Sequence, residues 1–289
     1  MIDITYNNYI KTKGLGPTFN VTIDPLPSDF LSYYEESIKA AEIIWSKRRG
    51  KVYMMYSGGL DSEYALSVFL SQGMDVIPVI VRLLPHYNDH DTKYAISFCE
   101  SKNITPVIVD IDFDEFVHSG TMLDLCMQMN SCVHHYAVLA HVSGLLDGTV
   151  ILGDGEPVIE YRDNAWKVVV YEYDHVVANY FRQNNLYGTP FFNQYTPGML
   201  AAFLMDPNIA PMVLTRPEEY TTSDRTKLMV YNADSGFNLT YRPKYHGYET
   251  ISTSDIGKHA DFSKLRDFAH TCKSVVCMDY FQLVSNYVD

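Results

Sequence analysis

Tyr56, Ser57, Gly58, Gly59, Leu60, Asp61 and Ser62 follow an apolar run at 52–55 and lead into a segment of helical periodicity. Adjacent glycines permit a tight turn whose N–H groups face inward, and a helix behind the turn adds the positive end of its dipole. Such a turn is a socket for an anion, and Ser57 and Ser62 place hydroxyl donors at its two ends. An aspartate inside a phosphate socket is repelled unless a divalent cation lies between carboxylate and phosphate, so Asp61 implies magnesium. A plainer reading treats the glycines as an ordinary turn with Asp61 or Ser62 capping the next helix. That accounts for the glycines but not for the whole string in its order of apolar run, turn and amphipathic segment.

Ser57-Gly58-Gly59-Leu60-Asp61-Ser62 resembles the PP-loop signature, Ser-Gly-Gly-x-Asp-Ser, of the N-type ATP pyrophosphatases. That superfamily includes asparagine synthetase, NAD synthetase, GMP synthetase and tRNA-modifying enzymes. The string is not a Walker loop, because the Gly-Lys-Ser/Thr ending is absent. The resemblance implies ATP and Mg2+ as cofactors, with cleavage between the α and β phosphates. On this reading Ser57, Gly58, Gly59, Leu60 and Ser62 bind ATP, while Asp61 binds ATP and magnesium and is catalytic. It further implies that adenine and ribose are read beyond the second strand, at Val81, Arg82 and Leu83, for which an ordinary strand end is the alternative. A helix at 29–48 feeding directly into the strand before the loop resembles the synthetase domain of asparagine synthetase.

Ligands of open parallel sheets collect beyond the carboxyl ends of the strands. The fourth strand delivers Gly153-Asp154-Gly155-Glu156-Pro157, where glycines flanking an acid allow close approach of backbone to ligand. Gly153 and Asp154 are candidates for the nucleotide, and Asp154 and Glu156 for sharing magnesium with Asp61. The segment loosely resembles the second nucleotide-contacting loop of the family, Gly-Glu-Gly-Ser-Asp-Glu in asparagine synthetase; Asp-Gly is also a routine turn. Between Tyr241 and Glu249 lie Arg242, Lys244 and His246, a local concentration of cations. Arg242 and Lys244 suit the charge that develops on departing pyrophosphate, and a solvated loop suits them equally. Lys227 and Arg225 are weaker alternatives. His134, His135 and His141 lie near Cys126 and Cys132, but adjacent histidines on a helix diverge by about 100°, so packing or surface placement is expected rather than a metal site. Cys272 and Cys277 do not make a zinc pair, and no residue stands out as a general base.

The activated substrate is argued from absences. An asparagine synthetase-like glutaminase domain needs an N-terminal nucleophilic cysteine, whereas the first cysteine is Cys99, so ammonia is free or comes from a separate ammonia-supplying chain. Thiolating relatives use paired or C-terminal cysteines. Phosphosulfate reductases carry lysine where Leu60 stands, and the deazaguanine-forming relatives carry a zinc-type cysteine cluster. An ATP-dependent ligase or amidotransferase-like enzyme that adenylates a small-molecule substrate is left as the leading expectation. The alternatives are a tRNA- or nucleobase-modifying enzyme with the same loop and a non-catalytic ATP-binding regulator.

At 289 residues with 20% charged residues the chain has length for a sizeable core. A net charge of −13 disfavours a nucleic-acid partner and leaves a small molecule as the expected one. Five cysteines without a Cys-x-x-Cys fit free thiols in a reducing compartment. With no basic leader and no bilayer-length apolar run, cytoplasmic residence and no membrane partner are expected; a homo-oligomer is compatible with the composition.

The elements needed to position these groups follow from periodicity. Strands are expected at 51–56, 75–83, 105–111 and 149–153, with helices at 29–48 (capped by Ser28 or Asp29), 61–72, 90–102 and, with breaks, 114–146. The alternation predicts an α/β fold, a parallel sheet covered by helices, and the resemblance gives it a Rossmann-like (HUP-type) topology. Pro78 sits awkwardly inside the second strand. Beyond 155 a hairpin at 157–161 and 165–173 and helices at 174–184, 197–205 and 261–272 are expected. The domain reading is an N-terminal extension at 1–28, an ATP pyrophosphatase domain at 29–157, and a smaller mixed C-terminal lobe at 158–289 facing the substrate.

Overall fold

Apolar runs alternating with amphipathic segments must bury both faces of a sheet, and the computed structural model shows how they do so. It describes the chain except residues 1–3, 6–8, 14–17, 210, 212, 214–223, 243–246, 273–274 and 286–289. A short pair, β1 (Ile10–Lys13) and β2 (Asn20–Ile23), precedes α1 (Tyr33–Lys47), β3 (Lys51–Met55), α2 (Leu60–Ser71), β4 (Val76–Leu84), α3 (Asp89–Ser101) and β5 (Val107–Asp112). Three helices follow, α4 (Phe113–His118), α5 (Thr121–Met129) and α6 (His134–Leu145), then β6 (Gly148–Leu152), β7 (Val158–Arg162), β8 (Ala165–Tyr171), α7 (Glu172–Gln183) and β9 (Tyr187–Thr189). The described remainder comprises α8 (Pro197–Leu204), α9 (Asp224–Asn232), α10 (Gly247–Thr253), α11 (Ala260–Cys272), β10 (Val275–Asp279) and α12 (Tyr280–Leu283).

The fold is α/β. Five strands in the order β5-β4-β3-β6-β9 pair in parallel throughout, with helices on both faces. Strand alternation splits the core between those faces: Val52 and Met54 join Ala65, Phe69 and Leu200 on one side, while Tyr53 and Met55 join Phe113, Ala137 and Phe181 on the other. β3 lies at the centre, so the loop that leaves it emerges in the middle of the sheet's carboxyl end. Pro78 is tolerated because β5 pairs with β4 only from Val79 onward, so the missing N–H falls before that ladder begins.

The first helix starts later than Ser28 or Asp29 would place it. Ser32 caps it, its side chain accepting from the backbone N–H of Glu35 while the Glu35 carboxylate accepts from that of Ser32, a capping box that Ser32-x-x-Glu35 spells in the sequence. The sheet also crosses the boundary expected at 157, because β9 adds its fifth strand. Residues of the expected extension join the core as well: Ile4, Tyr9, Ile10 and Leu26 are buried, and the Tyr9 hydroxyl donates to the Gln194 carbonyl at 2.9 Å. Beyond 157, β7 and β8 form the expected hairpin, turned at Asp163 and Asn164 with φ of 53° and 60°, and β10 pairs on the other side of β8. No helix among the described residues is long and apolar enough to cross a membrane.

Candidate functional site

The glycine string becomes a closed loop at Gly58, whose neighbours leave no room for a side chain. Tyr56 keeps the strand direction by donating its N–H to the Val79 carbonyl at 2.8 Å, and α2 begins at Leu60 with Gly59 as a cap that has no side-chain bond to the helix. Gly58 adopts φ +78°, and a Cβ there would lie 2.8 Å from the Asp91 carbonyl oxygen and 2.9 Å from the Ala95 nitrogen of α3. Inside the turn the Ser57 and Ser62 hydroxyls lie 3.2 Å apart, the Gly59 N–H donates to Ser57 Oγ at 3.3 Å, and Ser62 Oγ donates to the Gly59 carbonyl at 3.1 Å. The start of α2 is thus a set of N–H groups without a side-chain cap, which is where an anion binds a helix. Gly58→Ala combines a left-handed backbone with contact against main chain, and should cost on the order of 2–3 kcal/mol. A urea unfolding curve checks this; an unchanged midpoint would mean that the loop and α3 are not held this closely.

The second loop sits directly on the first. Gly153 approaches Ser62 so closely that a Cβ would fall 2.6 Å from the Ser62 Cα. Asn193, fully buried, holds this loop by donating from Nδ2 to the Gly153 carbonyl at 2.7 Å and from its backbone to the Asp154 carbonyl at 3.1 Å; the Tyr33 hydroxyl in turn donates to the Asn193 carbonyl at 2.7 Å. At the junction the Lys227 ammonium donates to Asp61 Oδ2 at 2.9 Å and to Glu156 Oε1 at 3.1 Å, and the Tyr231 hydroxyl donates to Asp61 Oδ1 at 2.8 Å. Lys227 and Tyr231 stand one turn apart on α9, which brings both onto one carboxylate. The Tyr231 ring stacks on Tyr64 at 4.2 Å and on Tyr33 at 5.7 Å, so the donor is rigidly held.

Charge is tightly confined here. Burial, and next the field of Asp61, push the Glu156 carboxyl up to about 8, with Lys227 pulling the other way and Asp154 adding to the rise. Burial, then Asp61, holds the Tyr231 hydroxyl well above its ordinary range, so it remains a donor. Among the described residues, no three His, Cys, Asp or Glu side chains are grouped to hold a metal ion. Of the three carboxylates expected to share magnesium, Asp61 and Glu156 are bridged by the Lys227 ammonium. A pair of carboxylates does suit magnesium arriving with phosphate oxygens, since that ion commonly takes one or two carboxylates and completes its shell with substrate and water.

A cavity of about 870 Å³ opens beside these groups, lined by residues 57–62, Val81, Leu83, residues 153–156, Lys227 and Arg242. Arg82 is not part of it. Its guanidinium pairs with Asp110 at 2.6 and 2.7 Å across β4 and β5, because strand alternation sends residue 82 to the opposite face from 81 and 83. Arg242 reaches the loop, donating to the Gly58 carbonyl at 3.4 Å, but is gripped by both oxygens of Glu63, one of which also accepts the Tyr56 hydroxyl at 2.8 Å. It braces the first turn of α2 as an ion pair. Lys244 lies outside the described residues, and Arg225 is exposed. Lys227 takes the central place that the basic segment at 242–244 was expected to fill, and Tyr231 was missed; their i,i+4 spacing was the available signal. His134 and His135 also line the cavity, and burial holds His134 down to about 4 and hence neutral.

No protein-family model matches the chain, and no curated protein matches it. Among solved structures, the chain is similar to a predicted subunit of tRNA methyltransferase from Methanocaldococcus jannaschii DSM, with 14% identity and a TM-score of 0.32 over 53% of this chain and 73% of that one. A likeness of that size bears on neither reaction nor substrate.

Proposed function

We propose that this chain is an ATP pyrophosphatase of the PP-loop kind, which adenylates a small-molecule substrate, releases pyrophosphate, and passes the activated group to ammonia or an amine. The observation that carries the reading is the meeting of the glycine loop, the uncapped start of α2 and the Asp61–Lys227–Glu156 cluster at one end of a nucleotide-sized cavity. In the first step a substrate carboxylate oxygen bonds to the α-phosphorus and the bond from that phosphorus to the bridging oxygen breaks, the electron pair leaving with pyrophosphate. In the second the nitrogen lone pair bonds to the acyl carbon, AMP leaves with the C–O electrons, and the surplus proton passes to solvent.

The chain's own part is to position and neutralise. Backbone N–H groups of residues 58–60, with Ser57 and Ser62, hold the phosphates that become pyrophosphate. Val81 and Leu83 wall the nucleoside, and Gly153 lets the second loop close against Ser62. Asp61 and Glu156 would hold Mg2+, which when bound supplies charge neutralisation for the phosphates. Lys227 is the described cation placed to stabilise the leaving group, with Arg242 bracing the loop behind it.

Incubation with ATP, Mg2+, ammonia and a panel of carboxylates tests the proposal: AMP and pyrophosphate are the expected products, and ADP, or no turnover with any acceptor, counts against it. A second reading, a regulator that holds ATP without cleaving it, is favoured by one observation: Lys227 and Arg242 are both committed to carboxylates. ATP binding without AMP formation across the panel would select it. The metal assignment carries a pH dependence of its own. Glu156 is protonated below about 8, and a cation must displace that proton, so affinity for Mg2+ in the ATP-loaded protein should rise toward pH 8 and then level. Titrating Mg2+ between about pH 6 and 9 reads this directly; a flat profile removes Glu156 from the metal.

A further inference from the structure

Where β4 outruns β3, its backbone presents hydrogen-bonding groups to the cavity. β3 last pairs with β4 at Met55 and Val79, whereas β4 continues to Leu84 with only β5 beside it. On the open edge the Val81 carbonyl is an acceptor and the Leu83 N–H a donor, spaced along one edge as alternate residues are. One side chain satisfies both. Asn88 donates from Nδ2 to the Val81 carbonyl at 2.9 Å and accepts at Oδ1 from the Leu83 N–H at 2.7 Å. Asn88 occupies the cap position of α3 but makes no side-chain bond to that helix, although asparagine is among the preferred capping residues. All three residues line the cavity that contains the glycine loop.

A primary carboxamide places an N–H donor beside an acceptor oxygen. A 6-aminopurine edge places an exocyclic N–H donor beside a ring-nitrogen acceptor in the same order. A 6-oxopurine reverses that order, with an acceptor oxygen beside a ring N–H. We propose that Asn88 is a built-in stand-in for the 6-aminopurine edge: it occupies the Val81–Leu83 backbone pair until the base of an adenine nucleotide displaces it, and so sets both the base selectivity and the affinity of the site. This rests on the nucleotide reading given above. The carboxamide satisfies two backbone groups on the cavity wall, and a base of the wrong polarity, which displaces water there, cannot take its place without leaving both unpaired.

The test compares ATP, GTP and inorganic tripolyphosphate as probes on the full chain by calorimetry. Asn88→Ala removes the competitor, and ATP should bind on the order of tenfold tighter while GTP and tripolyphosphate bind as before. Asn88→Asp keeps the shape and the capping ability but loses the donor to Val81, so it should shift ATP in the same direction by less. In the native chain, hydrogen exchange across residues 84–88 should rise on adding ATP and stay unchanged with tripolyphosphate. Weaker or unchanged ATP binding in both variants, an equal change for ATP and GTP, or slower exchange at 84–88 with ATP would each overturn the proposal. Tripolyphosphate separates the two levels of inference. If it binds while the Asn88 effects are missing, only this proposal falls; if neither ATP nor tripolyphosphate binds the native chain, the nucleotide reading falls with it.

Discussion

Asp61→Asn should lower the rate of AMP and pyrophosphate formation by about a thousandfold or more. Asp61 stands in the first turn of α2, directly after the glycines, and its two oxygens accept from Lys227 and Tyr231. An asparagine keeps the shape and can still accept from Tyr231, but it turns an N–H₂ group toward the Lys227 ammonium and removes the charge that would draw a divalent cation. The helix stays formed, since Gly59 rather than Asp61 caps it. Asp61→Asn also breaks the buried pair with Lys227, so some stability is lost, but the fall in kcat under conditions where the chain stays folded should far exceed it, and ATP alone should still bind through the loop. Quenched-flow measurement of AMP under saturating ATP reads the chemical step. Activity that survives the change would remove Asp61 from the metal and leave the loop as an anion site only.

How legible was this arrangement? Four of the sheet's strands were readable because apolar runs alternate there with segments of helical length, a pattern with few alternative folds, whereas β9, three residues at the sheet's edge, carried no such run. Residues 57–62 were readable because the string combines glycines, hydroxyls and an acid within one turn. Arg82 was misleading for a reason inherent in strands: a charged residue between Val81 and Leu83 occupies the other face, where Asp110 meets it. Lys227 and Tyr231 were hard to read because α9 is separated from the glycine loop by well over a hundred residues; their i,i+4 spacing puts them on one face of a helix but does not say that this face meets Asp61. Glu63 illustrates the same difficulty. In the sequence it is an acid in a helix's first turn; in the fold it is buried and receives Arg242 and Tyr56 together, which ties a distant basic residue to the back of the loop.

Lys227→Met should destabilise the chain by about 3–5 kcal/mol, because removing one partner of a buried ion pair leaves the Asp61 charge uncompensated. The Lys227 side chain is only 8% exposed, and Asp61 and Glu156 both depend on its ammonium. The pH dependence separates this from a simple packing loss. Glu156 has a folded pKa above its unfolded value, so its proton favours the folded state below about 8, and that contribution is lost as pH rises through 8. Lys227 lowers the Glu156 value; without it the carboxyl rises further, and the variant should keep losing stability above pH 8 where the native chain has levelled. Chemical denaturation across that range should show the gap widening with pH, whereas a lost packing contact would leave it constant. Added Mg2+ supplies the decisive comparison. If Asp61 and Glu156 form a cation site, the ion should restore more stability to Lys227→Met than it adds to the native chain, because in the variant it has no ammonium to displace. Equal effects on the two proteins would mean that the carboxylate pair is organised for Lys227 alone, and that any magnesium taking part in the reaction is held by the nucleotide.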